Sequence, residues 1–463
     1  MTSKMSEPLH HPASYRDPSG FVFQVNGIYY RQVNQPYAED YEKLMSSGLY
    51  ATLVRNKWLI EHQEIPTDPA ASANGYKTLL PAQINLLSYP YEWCFTQLRD
   101  AALLTLSILT QSVGQGMILK DASPYNIQFV NGKPLFIDTL SFENYDAGRP
   151  WVAYRQFCEC FLFPLYLEHY CGIGIGKILT AWPDGIPVPT TARMLPRKSR
   201  FNPGALMHVH LQNMVKPAPG KSERSSFSQE KLTRLIQHLE SIIKKLKPLP
   251  AAHSTWSNYY QETILSSRYL DEKQRLFRDF MTGLPFRTAI DMGANDGVFS
   301  LILAERPETS ITAIDADGAC IDRLYNTLRE KKISNILPLC IDLLHPSPAI
   351  GFRNRERPAF NDRAGADLVV ALALIHHLVL SANIPLRDIP GYFATMTTGW
   401  LIIEFVPVED EKAQELIRNK DRWHQPYDAP SFEQYFGEYF SIGKKSRIPG
   451  TERTLYLMKK HQP

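Results

Sequence analysis

Four groups of residues in the C-terminal part of the chain have the types and spacing for chemistry. The first is Asp291-Met-Gly293-Ala-Asn295-Asp-Gly297, which joins the apolar run Thr288–Met292 to a helix start at Val298–Leu303. Its glycines lack a Cβ, so they permit a sharp strand-to-helix turn and let a ligand approach the backbone. The D-x-G-x-x-x-G spacing differs from the G-x-G-x-x-G turn that receives a pyrophosphate. The second group is a pair of acidic strand ends. Asp315 closes Ile311–Ile314, twenty-four residues after Asp291, where a carboxylate can accept both hydroxyls of a ribose. Asp342 follows the run Ile336–Cys340 in the same way. The third is His376-His377, just past the apolar run Asp367–Leu374, at the strand end where ligands bind in a parallel α/β sheet. An imidazole there suits a base working near neutral pH. The fourth is Glu404, at the end of Trp400–Phe405, a candidate for acceptor binding or acid/base work.

A second constellation lies upstream. Asp121 is followed five positions later by Asn126, and Asp138 comes twelve residues after that, beyond an Asn131-Gly132 turn. The parts run helix, loop, hairpin, acidic strand end. Asp and Asn also cap turns, so a hairpin loop alone would use the same residues.

The elements that must position these groups can be read from periodicity. Phe21–Val33 is a hairpin about Asn26-Gly27. Tyr37–Val54 reads as helical, and Glu92–Val113 as a helix with Leu98, Ala102, Leu106 and Leu109 on one face. Lys216–Ser226 has linker composition. Ser228–Leu246 and Tyr259–Met281 are helices, the second with Arg268, Asp271, Lys273 and Arg275 as its wet face. Beyond Phe286, short β-rich runs alternate with helical ones, as in a parallel α/β sheet. This gives three parts: residues 1–216, a linker and helical connection over 217–285, and a domain over 286–463.

On DMGANDGVFS and the ordered acidic strand ends, the segment from Tyr259 to Lys460 resembles the class I S-adenosylmethionine-dependent methyltransferases. The resemblance implies a Rossmann-like, mostly parallel seven-stranded sheet whose last strand is antiparallel. It also implies that Asp291, Gly293, Asn295 and Gly297 cradle the methionine part of S-adenosyl-L-methionine. Asp315 would hold the ribose, and Asp342 would lie near the adenine amino group. Trp256, Tyr259, Tyr260 and Tyr269 are candidates to close over the donor, with helix packing as the alternative. His376, His377 and Glu404 are then the catalytic candidates. Arg353, Arg355, Arg357 and Arg363, with Glu356 and Asp362, read as a solvated surface or as a grip for an anionic acceptor.

The upstream segment resembles the catalytic segment of protein kinases and aminoglycoside-type phosphotransferases, an α+β module. In that family the Asp of Asp121 receives the acceptor proton, and Asn126 and Asp138 would hold magnesium. Departures are plain: no glycine-rich loop, only Gly27 in the hairpin, Arg31 as the nearest equivalent of the strand lysine, and Glu39 or Glu42 as its helix partner. Leu-Lys stands before Asp121, and Thr139 follows Asp138. Taken together, LKDASPYNIQF and FIDTLSFE upstream, with ALALIHHL, EFVP and IPGTERTLYLM downstream, resemble long bacterial methyltransferases related to nodulation-type proteins. The expected function is methyl transfer to a small-molecule or glycan-type acceptor. The rivals are an ATP-dependent phosphotransferase and a non-catalytic S-adenosylmethionine-binding protein.

Composition sets outer bounds. At 463 residues the chain is too long for one compact domain, and 44% apolar with 21% charged residues is that of a globular protein. Fifty basic against forty-seven acidic residues carry no strong nucleic-acid signal, which leaves room for a local basic patch. The six cysteines imply no disulfide framework. Cys158, Cys160 and Cys171 with His169 lack zinc-site spacing and read as buried thiols. Met1–Gly20 has no apolar signal-peptide region, and the longest apolar run, Ala101–Thr110, is about half a membrane span. The expected location is the cytoplasm. Oligomeric state is not legible.

Overall fold

The computed structural model describes residues 9–66, 74–214, 227–250, 267–418 and 426–462. Its strands, in chain order, are β1 (Leu9–His10), β2 (Gly20–Val25), β3 (Ile28–Asn34), β4 (His62–Ile65), β5 (Gly75–Pro81), β6 (Met117–Leu119), β7 (Ile127–Val130) and β8 (Lys133–Phe136). They continue as β9 (Phe142–Asn144), β10 (Thr288–Met292), β11 (Ser310–Asp315), β12 (Ile336–Cys340), β13 (Ala366–Ala371), β14 (Thr397–Phe405), β15 (Phe440–Arg447) and β16 (Thr454–Lys460).

The chain divides into two compact units. One holds residues up to Pro250 together with Ala349–Pro358, and the other holds the remainder. The division falls at Pro250 rather than at the expected 216. The helix Gln229–Lys245, capped by Ser228, buries Leu232, Ile236, Leu239 and Ile243 within the first unit and is no free connection. The expected linker at Lys216–Ser226 lies outside the described residues.

In the first unit β1 to β5 form an antiparallel sheet in the order β1-β2-β3-β5-β4. Asn26 and Gly27 both have positive φ, 50° and 82°, which suits a two-residue hairpin turn to the right-handed twist of β2 and β3. The expected helix over Tyr37–Val54 breaks at Gly48 (φ 79°) into Ala38–Ser46 and Leu49–Arg55. The long helix Phe95–Gly114 follows, buried along Leu98, Ala102, Leu106 and Leu109. Then two small sheets, β6 with β9 and β7 with β8, hold the Asp121–Asn126 loop between them. Cys158 and Cys160 sit in a π-helical turn, and burial pushes both thiols up to about 12.

In the second unit the strand order is β12-β11-β10-β13-β14-β16-β15. The pairs from β12 through β14 are parallel, and β16 is antiparallel to both β14 and β15. The sheet is thus seven-stranded and mostly parallel, with the last strand of the chain antiparallel to its neighbours. Alternate residues fill its two faces. Ala289, Ile311, Ala313, Leu368, Val370 and Ile402 pack with Phe277 and Phe280 of the helix Ser267–Met281 and with Leu324 and Leu328 of the helix Gly318–Lys331. Ile290, Val369, Leu401 and Ile403 are equally buried on the opposite face, so the central strands read as continuous apolar runs.

Candidate active site

The glycine turn is built as its residue types require. Gly293, Asn295 and Gly297 have φ of 78°, 51° and 78°, left-handed values that glycine and asparagine tolerate. A Cβ at Gly297 would stand 2.4 Å from Leu324 Cδ1, so alanine there would clash as well as strain. The turn is tied to the next strand, because the N–H groups of Gly293 and Ala294 both donate to the Ile314 carbonyl at 2.9 Å.

Asp315 closes this arrangement. Its Oδ2 accepts the Asn295 N–H at 2.8 Å and its Oδ1 accepts the Asp317 N–H at 2.9 Å. Burial pushes its carboxyl above the usual range, against those two backbone bonds. Each oxygen keeps a second lone pair for a hydroxyl donor. Asp291, at the middle of the sheet, is buried and accepts the Ser300 hydroxyl at 2.6 Å, and burial pushes its carboxyl up to about 6. Asp342 lies at the end of β12, half-exposed, accepting the Leu344 N–H at 2.9 Å. Tyr259, with Trp256 and Tyr260, falls outside the described residues.

Tyr269 is buried, and its hydroxyl donates to Glu404 Oε1 at 2.9 Å while accepting from Arg453 at 2.9 Å. It therefore belongs to an ionic cluster. Glu404 is wholly buried; its Oε2 lies 2.6 Å from Lys273 Nζ and accepts the Ala373 N–H at 2.8 Å. Arg453, also wholly buried, grips Asp410 through two bonds of 2.7 and 2.9 Å. Burial opposes the charge on Glu404, but Lys273 and Arg453 outweigh it and hold the carboxyl below its usual range. Lys273 is thus not part of a wet helix face. Arg268, Asp271 and Arg275 are exposed, whereas Lys273 turns inward over the Phe299 ring at 4.9 Å. Periodicity missed Lys273 and Arg453 because their carboxylate partners lie far away in sequence.

The rings of His376 and His377 are in contact, with centroids 4.0 Å apart and planes tilted by 45°. His376 is wholly buried, and neither of its ring nitrogens has a hydrogen-bond partner among the described residues. Burial lowers His376 well below its ordinary value, and lowers His377 to about 4. Both imidazoles are therefore neutral at physiological pH.

In the first unit Asp121, Asn126 and Asp138 lie in one hydrogen-bonded region. Asp121 Oδ1 accepts the Ser123 N–H at 3.0 Å and the Gln156 amide at 2.7 Å. Burial, then the Asp138 charge, raises the Asp121 carboxyl. Asn126 donates to Ser141 Oγ at 3.2 Å, and that hydroxyl donates to Asp138 Oδ2 at 2.6 Å. Arg31 does not pair with Glu39 or Glu42; its guanidinium lies 2.5 Å from Asp138 Oδ1. Glu42 instead accepts the Tyr76 hydroxyl. Among the described residues no cluster of His, Cys, Asp and Glu has a metal-holding arrangement.

The arginine-rich stretch is only partly a solvated surface. Arg353 and Arg355 are exposed, but Glu356 is buried in the first unit and accepts from Tyr15 and Arg16. Arg357 lies 3.7 Å over the ring of Tyr125, inside the Asp121–Asn126 loop. No helix among the described residues is long and apolar enough to cross a membrane.

No protein-family model matches the chain. The nodulation protein NoeA of Rhizobium meliloti strain 1021 is 29% identical over 459 residues, covering 97% of this chain and 96% of that one. Among solved structures, the N-methyltransferase NodS of Bradyrhizobium japonicum with S-adenosyl-l-homocysteine is 16% identical, covers 45% of this chain and 100% of its own, and has a TM-score of 0.33. The bifunctional kinase-methyltransferase WbdD is 17% identical over 49% of this chain and 46% of its own, with a TM-score of 0.30.

Proposed function

We propose that this chain transfers the methyl group of S-adenosyl-L-methionine to a small-molecule or glycan-type acceptor. The observation that carries the reading is Asp315, a half-buried carboxylate at the end of β11 whose two oxygens each accept one backbone N–H beside the left-handed Gly293–Gly297 turn. Gly293 and Gly297 present backbone without a side chain beside a carboxylate with free lone pairs, which fits a ribose next to a compact zwitterion. The bound donor would supply an electrophilic sulfonium methyl. Asp315 would hold the ribose hydroxyls, Gly293 and Gly297 the methionine part, and Asp342 the edge of the adenine.

Methyl transfer is an in-line displacement, so the chain's main task is alignment. His376 and His377, just past β13, are the groups we assign to receive the acceptor proton: both imidazoles are unprotonated, and burial makes each a weaker base than the free side chain. Glu404 is assigned to structure, since Lys273, Tyr269 and the Ala373 N–H already occupy it. In this reading the first unit is a degenerate kinase-like module that recognises the acceptor. Titration calorimetry with S-adenosylhomocysteine tests the core of the proposal. Micromolar binding that disappears in Asp315→Ala is expected, and absence of binding to the native chain would overturn it.

A further inference from the structure

Between Asp184 and Glu223 every charged side chain is basic: Arg193, Arg197, Lys198, Arg200, Lys216 and Lys221. The described part of this stretch is a cluster of short helices in the first unit, Val188–Met194, Arg197–Phe201 and the helical run over 203–214. They are held together from inside. Ser199 Oγ meets the His210 imidazole at 2.8 Å, and Thr191, Ser199, His208, Val209 and His210 are buried. The outside has the opposite character. Arg193, Arg197, Lys198 and Arg200 are exposed, and none has an ion-pair partner among the described residues. The same segment carries large apolar side chains in solvent: Phe201 at 89% exposure, Met207 at 50%, Leu211 at 48% and Met214 at 73%.

Met207, Leu211 and Met214 recur at helical spacing, so they form one stripe rather than scattered exposures. A soluble surface rarely shows such a stripe without a partner. The two properties together narrow the partner. Unpaired cations with no interspersed acid attract an anionic surface, and long flexible methionines with a phenylalanine suit an acyl boundary. Phosphate alone, as on a nucleic acid, would use the cations and leave the aliphatic stripe in water.

We infer that the Arg193–Met214 cluster is a docking surface for an anionic lipid bilayer, with the cations at the headgroups and Phe201, Met207, Leu211 and Met214 in the acyl boundary. This inference does not depend on the methyltransferase reading. The test is sedimentation of the full chain with phosphatidylcholine vesicles containing or lacking phosphatidylglycerol. Binding is expected only to the anionic vesicles, and it should weaken with salt. Arg197→Glu with Lys198→Glu should reduce it more than about tenfold. Phe201→Ser with Met214→Ser, at exposed sites that leave the fold intact, should reduce it comparably. In Phe201→Trp, lipids brominated in the acyl chain should quench the added fluorescence. Equal binding to neutral vesicles, indifference to both double substitutions, or no quenching would overturn the proposal. So would a concentration-dependent dimer of the native chain abolished by the same apolar substitutions, which would make the stripe a self-association surface.

Discussion

Glu404 accepts the backbone N–H of Ala373 at 2.8 Å, and Ala373 is a non-glycine residue held at a φ of 49°. Left-handed backbone costs a residue with a Cβ roughly 1–2 kcal/mol, so something must hold it there. The buried carboxylate does so, and it is itself held by Lys273 and Arg453. The turn that follows carries His376 and His377. Glu404 thus connects the helix Ser267–Met281, β14 and Arg453, the residue before β16, to the direction of the histidine pair.

Removing that carboxylate should be severe. Glu404→Ala strips Lys273 of its ion-pair partner in a dry site, and urea unfolding should show a loss on the order of 3–5 kcal/mol. Glu404→Gln keeps an acceptor for Ala373, so S-adenosylhomocysteine binding should persist while the melting midpoint falls. Ala373→Gly should add about 1 kcal/mol by relieving the left-handed cost. A Glu404→Gln protein that melts like the native one yet has lost turnover would return Glu404 to acid/base work.

Asp291 gives a pH dependence of definite sign. Burial pushes its folded carboxyl up to about 6, above the ordinary unfolded value near 4. The folded state therefore binds the proton more tightly, and this group favours folding at low pH. As pH rises from about 4 through about 6 that contribution is lost, amounting to roughly 3 kcal/mol above pH 6. Asp291→Asn should remove the penalty. The variant should be more stable than the native chain at pH 7, and the difference should shrink toward pH 4. A constant difference across that range would show that Asp291 is not raised.

These features differ in how far the sequence discloses them. The strand–turn–strand run from Thr288 to Asp315 is local. Each residue's type answers a local demand, as glycine and asparagine do at left-handed φ, so turn, sheet and acidic strand end were legible together. The Asn26-Gly27 hairpin was legible for the same reason. Lys273 was not. It sits among Arg268, Asp271 and Arg275 with nothing local to separate it from them, and its partner Glu404 is brought to it only by the sheet. Glu356 hides similarly within an arginine-rich stretch, its donors Tyr15 and Arg16 lying at the other end of the chain. Periodicity reports which face of a helix is buried, but not which charges find partners there.

The Arg31–Asp138 pair predicts the behaviour of the first unit. With Arg31 on one Asp138 oxygen and Ser141 on the other, the site is neutralised from within. Calorimetry should therefore detect no magnesium-dependent ATP binding to the native chain. Arg31→Ala leaves Asp138 with neutral donors only, and should destabilise the chain by about 2 kcal/mol, the size of a hydrogen bond to a charged group. Magnesium-dependent ATP binding that is lost in Asp138→Ala would instead establish the phosphotransferase rival.

His376 offers the sharpest separation of stability from function. Both of its ring nitrogens are buried without a partner, an arrangement that costs on the order of 1–3 kcal/mol relative to an apolar side chain. Because burial lowers its folded pKa below the unfolded value near 6.5, the unfolded chain takes up the proton first, and stability falls as pH drops below about 6.5. His376→Leu should thus melt higher than the native chain, and its advantage should widen as the solution is acidified. If His376 receives the acceptor proton, the same variant should bind S-adenosylhomocysteine normally while turnover drops by about a hundredfold or more. A protein that is both more stable and fully active would leave the imidazole with no part in catalysis. One that is less stable would mean that His376 has a polar partner in the folded chain.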